Sequence, residues 1–319
     1  MTDVLSAAGA VELAVLERSG MIESRHLGVA VVVGPDAASL RELGDVDALI
    51  YPRSTLKPVQ AITALRLGAD LDGEELVLAT ASHAGTAEHV AVVRRILDRA
   101  GLDESALQCP ADWPSDRAAR TAATAPHPLS MNCSGKHAAF LLACVRNDWP
   151  TDSYLELEHP LQQAILASVQ EFTGHPVEHS GVDGCGAPVH AVTVRGLATA
   201  ISRVTGPTDD PDASRLAAAI REHPWAIDGP GRANTVTIEK LGLIAKLGAE
   251  GVMVMGAADG TAVALKTLDG SLRAATTVAL QLLVEAGAVD ADAAAEVIAV
   301  TSERVLGGAR PVGELRAVV

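Results

Sequence analysis

Aromatic residues are almost missing from this chain: three Trp, two Tyr and two Phe make up 2% of its 319 residues. Its core must therefore be filled by Ala, Val and Leu. Cysteine is sparse too, and Cys109, Cys133, Cys144 and Cys185 are too few and too widely spaced for a disulfide framework. In a reducing compartment they serve as core fillers, metal ligands or reactive thiols. Positive charge is short: 25 Lys and Arg stand against 40 Asp and Glu, a formal net charge of -15, with no basic run. That balance argues against nucleic acid or an anionic membrane as a partner. No stretch of about 18 uncharged apolar residues occurs. The amino end lacks a basic segment, and Glu12, Glu17 and Arg18 interrupt its apolar stretches. Neither a signal peptide nor a membrane span is expected, so the chain reads as soluble and cytoplasmic. A G-x-S-x-G elbow, an H-E-x-x-H motif and a Walker loop are missing as well. So are internal repeats and any linker long enough to separate independent domains.

What is present is a 48% hydrophobic chain, able to bury a full core in one large domain or two intimate subdomains. Residues 27–33 form an apolar β-branched run ended by Gly34-Pro35, which predicts a buried strand. Val59, Ile62, Leu65 and Leu67 mark a helix ending near Gly68, and residues 76–81 form a strand-like apolar run that delivers Ser82. Further helices are expected over 88–99, 138–145, 161–172, 197–204, 213–222 and from Leu272 to about Ala286. Residues 109–128 read as a partly helical surface connection, and 225–234 as a tight loop. Residues 252–255 and 261–266 flank Asp259-Gly260 and predict a β-hairpin ending at Lys266.

The stretch Tyr51-Pro52-Arg53-Ser54-Thr55-Leu56-Lys57 sets a serine and a lysine three positions apart. In a helix starting near Ser54 both side chains share a face, about 5 to 6 Å apart at Cβ. A serine hydroxyl is a poor nucleophile until a base takes its proton. Lysine, with an ordinary pKa of about 10.4, is neutral in roughly one molecule in a thousand near neutral pH. Burial or a nearby cation must lower that value, and Arg53 and a helix N-terminus at Ser54 both push that way. Ser82-His83 follows an apolar run, the position from which a scaffold presents a reactive side chain, although a solvated loop serine reads the same. Cys133 and Lys136 lie three apart, with Cys185 in the glycine-rich segment 179–188. Two thiolates and a nitrogen could hold Zn(II) tetrahedrally with an open fourth position, and buried unliganded cysteines are the alternative. Lys266 is a second candidate base.

Four segments together, Arg53-Ser54-x-x-Lys57-Pro58-x-Gln60, Ser82-His83-x-Gly85-x-x-x-His89, Asn132-Cys133-Ser134-Gly135-Lys136-His137 and Asp183-Gly184-Cys185-Gly186-Ala187-Pro188, resemble the rhizobial-type, or class 3, L-asparaginases, the thermolabile asparaginase II family. Gly248-Ala249-Glu250-Gly251 and Lys266 through Asp269-Gly270 continue the match. The resemblance implies an α+β fold like serine β-lactamases and related glutaminases: an antiparallel sheet flanked by helices, with a mostly helical lobe, in a single catalytic domain over 1–319. It implies two serine-lysine pairs, Ser54 with Lys57 and Ser82 with Lys266, and zinc held by Cys133, Lys136 and Cys185. Arg53, Asp183 and His83 become candidate contacts for L-asparagine, and a homodimer is expected. Some family members carry a further cysteine after Gly-Ala-Glu-Gly, which residues 252–255 lack, so a redox role for that thiol is excluded. Ser130-x-Asn132 mimics a β-lactamase element, but Ser82 is the serine that matches. A glutaminase, a β-lactam hydrolase and a non-catalytic zinc-containing amino-acid sensor are the alternatives.

Overall fold

β-Branched residues decide where the sheet forms. The strand Met21–Val33 ends in five buried residues, Val29 to Val33, and Val252–Gly256 is buried at every position. Successive strand residues face opposite ways, so unbroken burial means that both faces of the sheet are covered there. In this computed structural model, which describes residues 3–319, eight strands among the described residues form one sheet with antiparallel pairing. Its order is Val305–Gly307, Arg310–Ala317, Val11–Arg18, Met21–Val33, Ala262–Thr267, Val252–Gly256 and Ile244–Gly248, with Ser39–Leu43 added to Met21–Val33. The expected hairpin around Asp259-Gly260 is central: Lys266 pairs with Val252 on one side and with Val29 on the other.

The chain divides into two compact units. The first holds this sheet and comprises the described residues up to Thr55, Ala191–Pro207 and Val236–Val319. The helices Val194–Thr205 and Ala275–Glu285 lie against its central strands, and Ala291–Thr301 lies on Ala275–Glu285. The second unit, Leu56–His190 and Thr208–Thr235, is mostly helical. Its central helix, Ser134–Arg146, is buried from Ser134 to Cys144 and meets Lys57–Arg66, Gly73–Thr80 and Ala87–Arg99. Ala138, Ala139, Leu141, Leu142 and Ala143 fill this interior, as the shortage of aromatics requires. Gly135 permits the close approach of Gly73–Thr80, because a Cβ there would stand 2.5 Å from Leu78 O. The architecture is α+β, an antiparallel sheet flanked by helices with a mostly helical second unit, as expected. Among the described residues, no helix is long and apolar enough to cross a membrane.

Two local expectations are corrected. The apolar run 76–81 belongs to the helix Gly73–Thr80 and not to a strand. Asp72 caps it through the Gly73 N–H at 2.9 Å, and Glu74 and Glu75 in its first turn favour the positive helix end. Because Leu76 to Thr80 are all buried, the run has no polar face and so no helical period to read. Segment 225–234 contains the end of a 3-10 turn, Pro224–Ile227, and the start of the helix Ala233–Leu241.

Candidate active site

In the sheet-containing unit the functional turn is Pro52 to Thr55. Thr55 closes it by donating its backbone N–H and its hydroxyl to Pro52 O, at 3.2 and 2.7 Å. Arg53 has φ +54°, a left-handed conformation that a non-glycine residue holds only when its surroundings enforce it. The half-buried Ser54 follows it, inside the 3-10 run Arg53–Leu56 that leads into the helix Lys57–Arg66. Gly248 backs the turn: a Cβ there would lie 2.9 Å from Pro52 O and 3.4 Å from Ser54 N. Glu250, in the tight turn after Gly248, is a second left-handed non-glycine residue, with φ +60°. Arg53, Glu250, Lys266 and Tyr51 all line one cleft of about 270 Å³. Burial lowers the Lys266 pKa, opposed in part by Glu250 and Asp269. A guanidinium, a carboxylate and an amine drawn toward neutrality therefore share this cleft.

In the helical unit the organising residue is Lys57, 1% exposed at the start of its helix. Its Nζ donates to Ala81 O at 2.5 Å, to Ser82 Oγ at 3.2 Å and to Cys133 Sγ at 3.0 Å. An ammonium has three N–H groups, and these partners use all three. Ser82 leaves the helix Gly73–Thr80 on a loop fixed by Ser82 N–H to Ile227 O at 3.0 Å and His83 N–H to Asn132 O at 3.1 Å. His83 is 1% exposed and both ring nitrogens are engaged: Nδ1 accepts the Gly85 N–H at 3.1 Å, so Nε2 carries the proton and donates to Ser134 Oγ at 2.8 Å. Burial holds its pKa well below 6.5, with His89 and Lys57 adding to the effect. His89, stacked on His83 at 5.1 Å, accepts from Thr86 through Nδ1 and donates through Nε2 to Trp225 O. Burial pushes its pKa down to about 4. The Ser82-His83-x-Gly85-x-x-x-His89 motif is thus a loop braced by two neutral imidazoles. His83 sits in that brace, with no ring nitrogen turned to a ligand.

The thiols meet in the same unit. Cys133 caps the helix Ser134–Arg146, Lys136 lies in its first turn, and Cys185 sits between the strands Ser180–Val182 and Pro188–His190. The Cys133 thiol donates to Asn132 Oδ1 at 2.9 Å; the neighbouring Cys133 thiol and the Lys136 charge drive the Cys185 pKa far down, whereas Cys133 is raised by Cys185 and by burial. Lys136 Nζ donates to Cys185 Sγ at 3.2 Å. Burial works to lower its pKa, but the two sulfurs, helped by Asp183, more than offset it and keep Lys136 charged. Among the described residues, no three of His, Cys, Asp and Glu cluster as metal ligands. The cluster is instead two thiols and an amine, buried and within reach of one another. That donor set suits Zn(II), provided Cys133 and Lys136 release their protons.

The structure therefore brings Lys57, Ser82, Cys133, Lys136, Cys185 and Asp183 together in the helical unit, and Arg53, Ser54 and Lys266 in the sheet unit. Glu250 was visible in the sequence only as part of Gly-Ala-Glu-Gly, because its left-handed turn leaves no other mark. His137 and Tyr154, whose side chains meet at 2.7 Å, gave no signal beyond the motif that contains His137.

The family model described as L-asparaginase II matches residues 14–317. No curated protein matches the chain. Among solved structures, Mglu in its glutamate form is 12% identical with a TM-score of 0.47, the match covering 82% of this chain and 60% of that one. The chain thus spans about three fifths of that protein's length. A β-lactamase from Mycobacterium bovis is 15% identical over 81% of this chain and 94% of its own, with a TM-score of 0.40. A Bacillus glutaminase is 10% identical over 82% and 91%, with a TM-score of 0.39.

Proposed function

Because the chain belongs to the L-asparaginase II family, whose model spans nearly all of it, we propose that it hydrolyses the side-chain amide of L-asparagine to L-aspartate and ammonia. Ser54 is the nucleophile and Lys57 the base that takes its proton. Ser54 Oγ bonds to the amide carbon, the tetrahedral oxyanion is held by backbone N–H groups near the turn, and its collapse releases ammonia and leaves an ester on Ser54. Water cleaves that ester, and the serine recovers its proton. Lys57 acts as a base only when neutral, and it then gives up one of its three donated hydrogen bonds. The bond to Ser82 is the one that can be given up, because that hydroxyl can take its hydrogen bond elsewhere and leave the amine's lone pair to the Ser54 proton. Ser82 and Lys266, whose pKa burial lowers, are assigned the relay of the proton taken from Ser54 to the departing ammonia.

The observation that carries the reading is the cleft beside the Ser54 turn, which offers Arg53 and Glu250 at once. An α-amino acid has one charge of each sign, so Arg53 is assigned its carboxylate and Glu250 its ammonium. Asp183 is the other candidate for the ammonium. His83 is assigned the bracing of the Ser82 loop.

Zinc is proposed at Cys133, Lys136 and Cys185. When bound there it would supply a Lewis acid that orients polar groups of the substrate. Replacement of Cys133 by Ala with unchanged metal content would overturn that assignment. The homodimer remains an expectation from the family, and sedimentation tests it.

Ammonia release from L-asparagine and L-glutamine, beside the ring opening of a chromogenic β-lactam, tests the substrate. Preference for asparagine supports the reading, and turnover of glutamine or the lactam alone replaces it. Tight binding of asparagine without release would identify a sensor.

A further inference from the structure

Glu250 and Lys266 reach the cleft from two separate stretches of chain, and one residue outside the reaction above joins them. Thr267 ends the strand Ala262–Thr267 and is 1% exposed. Each of its polar groups is committed. Its N–H donates to Gly251 O at 2.9 Å, in the turn that carries Glu250. Its carbonyl accepts from Lys266 Nζ at 2.5 Å. Its hydroxyl has a single proton. Ser271 O stands 2.7 Å from Oγ1, an ordinary O–H···O distance, whereas Gly251 O stands 3.5 Å away, outside that range. The proton therefore goes to Ser271 O and closes the turn of residues 267–271.

That turn is the floor under Glu250. A Cβ on Gly270 would stand 2.7 Å from Glu250 Oε2 and 3.5 Å from Glu250 Cα, so the carboxylate lies directly against the turn. At Gly251 an added Cβ would collide with Thr267 Oγ1 and come within 3.0 Å of Ser271 O, so the two turns are packed without slack. Carbon approaches a carbonyl oxygen only to about 3.3 Å. A methyl group in place of Oγ1 would therefore push Ser271, and Gly270 beside it, outward by roughly half an ångström. The seat of Glu250 would move with them.

We propose that Thr267 is a specificity-determining positioning residue of this cleft: its hydroxyl closes the 267–271 turn and so holds the Glu250 carboxylate where it meets an α-ammonium. Amides that carry an α-amine are thereby favoured over the same amides without one. The proposal rests on the assignment of the substrate ammonium to Glu250 above.

Thr267→Val keeps the side-chain shape and loses the hydroxyl, and Thr267→Ser keeps the hydroxyl and loses only a methyl group. The two are compared on L-asparagine and on succinamate, which is asparagine without its α-amine. Thr267→Val is expected to raise KM for asparagine about tenfold, since a displaced carboxylate gives up most of a charged hydrogen bond, with a smaller effect on kcat. Its kcat/KM for succinamate should stay near that of wild type, and Thr267→Ser should restore the preference for asparagine. Wild-type preference in Thr267→Val overturns the proposal, as does an equal loss on both substrates or an equal loss in the serine variant. Crystal structures of the two variants give a second readout that requires no turnover. The Glu250 carboxylate should be displaced in Thr267→Val and in place in Thr267→Ser, and an unmoved Glu250 in Thr267→Val overturns the proposal. A preference that survives Glu250→Gln counts against the ammonium assignment alone, because the variant structures decide the tie without it.

Discussion

Lys57 Nζ stands 3.0 Å from Cys133 Sγ, although 76 positions separate the two residues in the chain. The same nitrogen reaches Ser82 Oγ at 3.2 Å, so the base of the proposed reaction also touches a proposed metal ligand. Lys57→Met keeps the length of the side chain and removes the amine. We expect kcat to fall by at least about a hundredfold, the usual scale for a lost general base. Zinc content should stay near that of wild type, since Cys133, Lys136 and Cys185 remain. Steady-state kinetics beside metal analysis check both, and undiminished turnover would remove Lys57 from the mechanism.

What the sequence offers of this site is local spacing: Cys133-x-x-Lys136 opens one helix, and Arg53-Ser54-x-x-Lys57 spans a turn and a helix start. The Lys57 to Cys133 bond was not legible, nor was the His137 to Tyr154 pair, because no local period links residues on separate elements. The same holds for the fold. The hairpin about Asp259-Gly260 announced itself, whereas the pairing of Ala14 with Ala317 is long-range and was not foreseen. The helix Gly73–Thr80 was misread because burial on all sides erased its period, even though the Asp72 cap and Glu74-Glu75 stood in plain view. The boundary between the two units falls after Thr55, inside the very motif that pointed to the chemistry, where no linker composition marks it.

Glu250 is expected to select for the substrate ammonium. Glu250→Gln should raise KM for asparagine about tenfold or more, the scale of a lost charged hydrogen bond, with a smaller effect on kcat. Succinamate, which has the amide but no α-amine, distinguishes the two candidates. The preference for asparagine over succinamate should collapse in Glu250→Gln and persist in Asp183→Asn. The reverse outcome would assign the ammonium to Asp183.

Gly248 is expected to be intolerant of even one methyl group. In Gly248→Ala the new Cβ presses on Pro52 O at 2.9 Å, and the turn that carries Ser54 must move. Small displacements of a reacting group can lower rates by about a hundredfold. A fall in kcat of about tenfold to a hundredfold is expected, with circular dichroism unchanged. Wild-type kinetics would show that the turn does not depend on this contact.

Acid should loosen the helical unit through its neutral imidazoles. His89 titrates near 4 when folded and near 6.5 when unfolded, so between those values the unfolded chain binds more protons. The stability this residue contributes is complete above pH 6.5 and is lost as pH falls toward 4, up to about 3 kcal/mol. The fully buried His83 acts in the same direction. Urea midpoints should drop from pH 7 to pH 4.5, and His89→Gln should flatten that slope. An unchanged slope would place the acid sensitivity elsewhere.

The central claim is that Ser54 carries the acyl group, and trapping that group tests it most directly. Protein mixed with L-asparagine, quenched in acid within a turnover and mapped by peptide mass should carry one aspartyl ester on Ser54. The ester should be absent from Ser54→Ala and present, with slower turnover, in Ser82→Ala. An ester on Ser82, or full ammonia release by Ser54→Ala, would contradict the account.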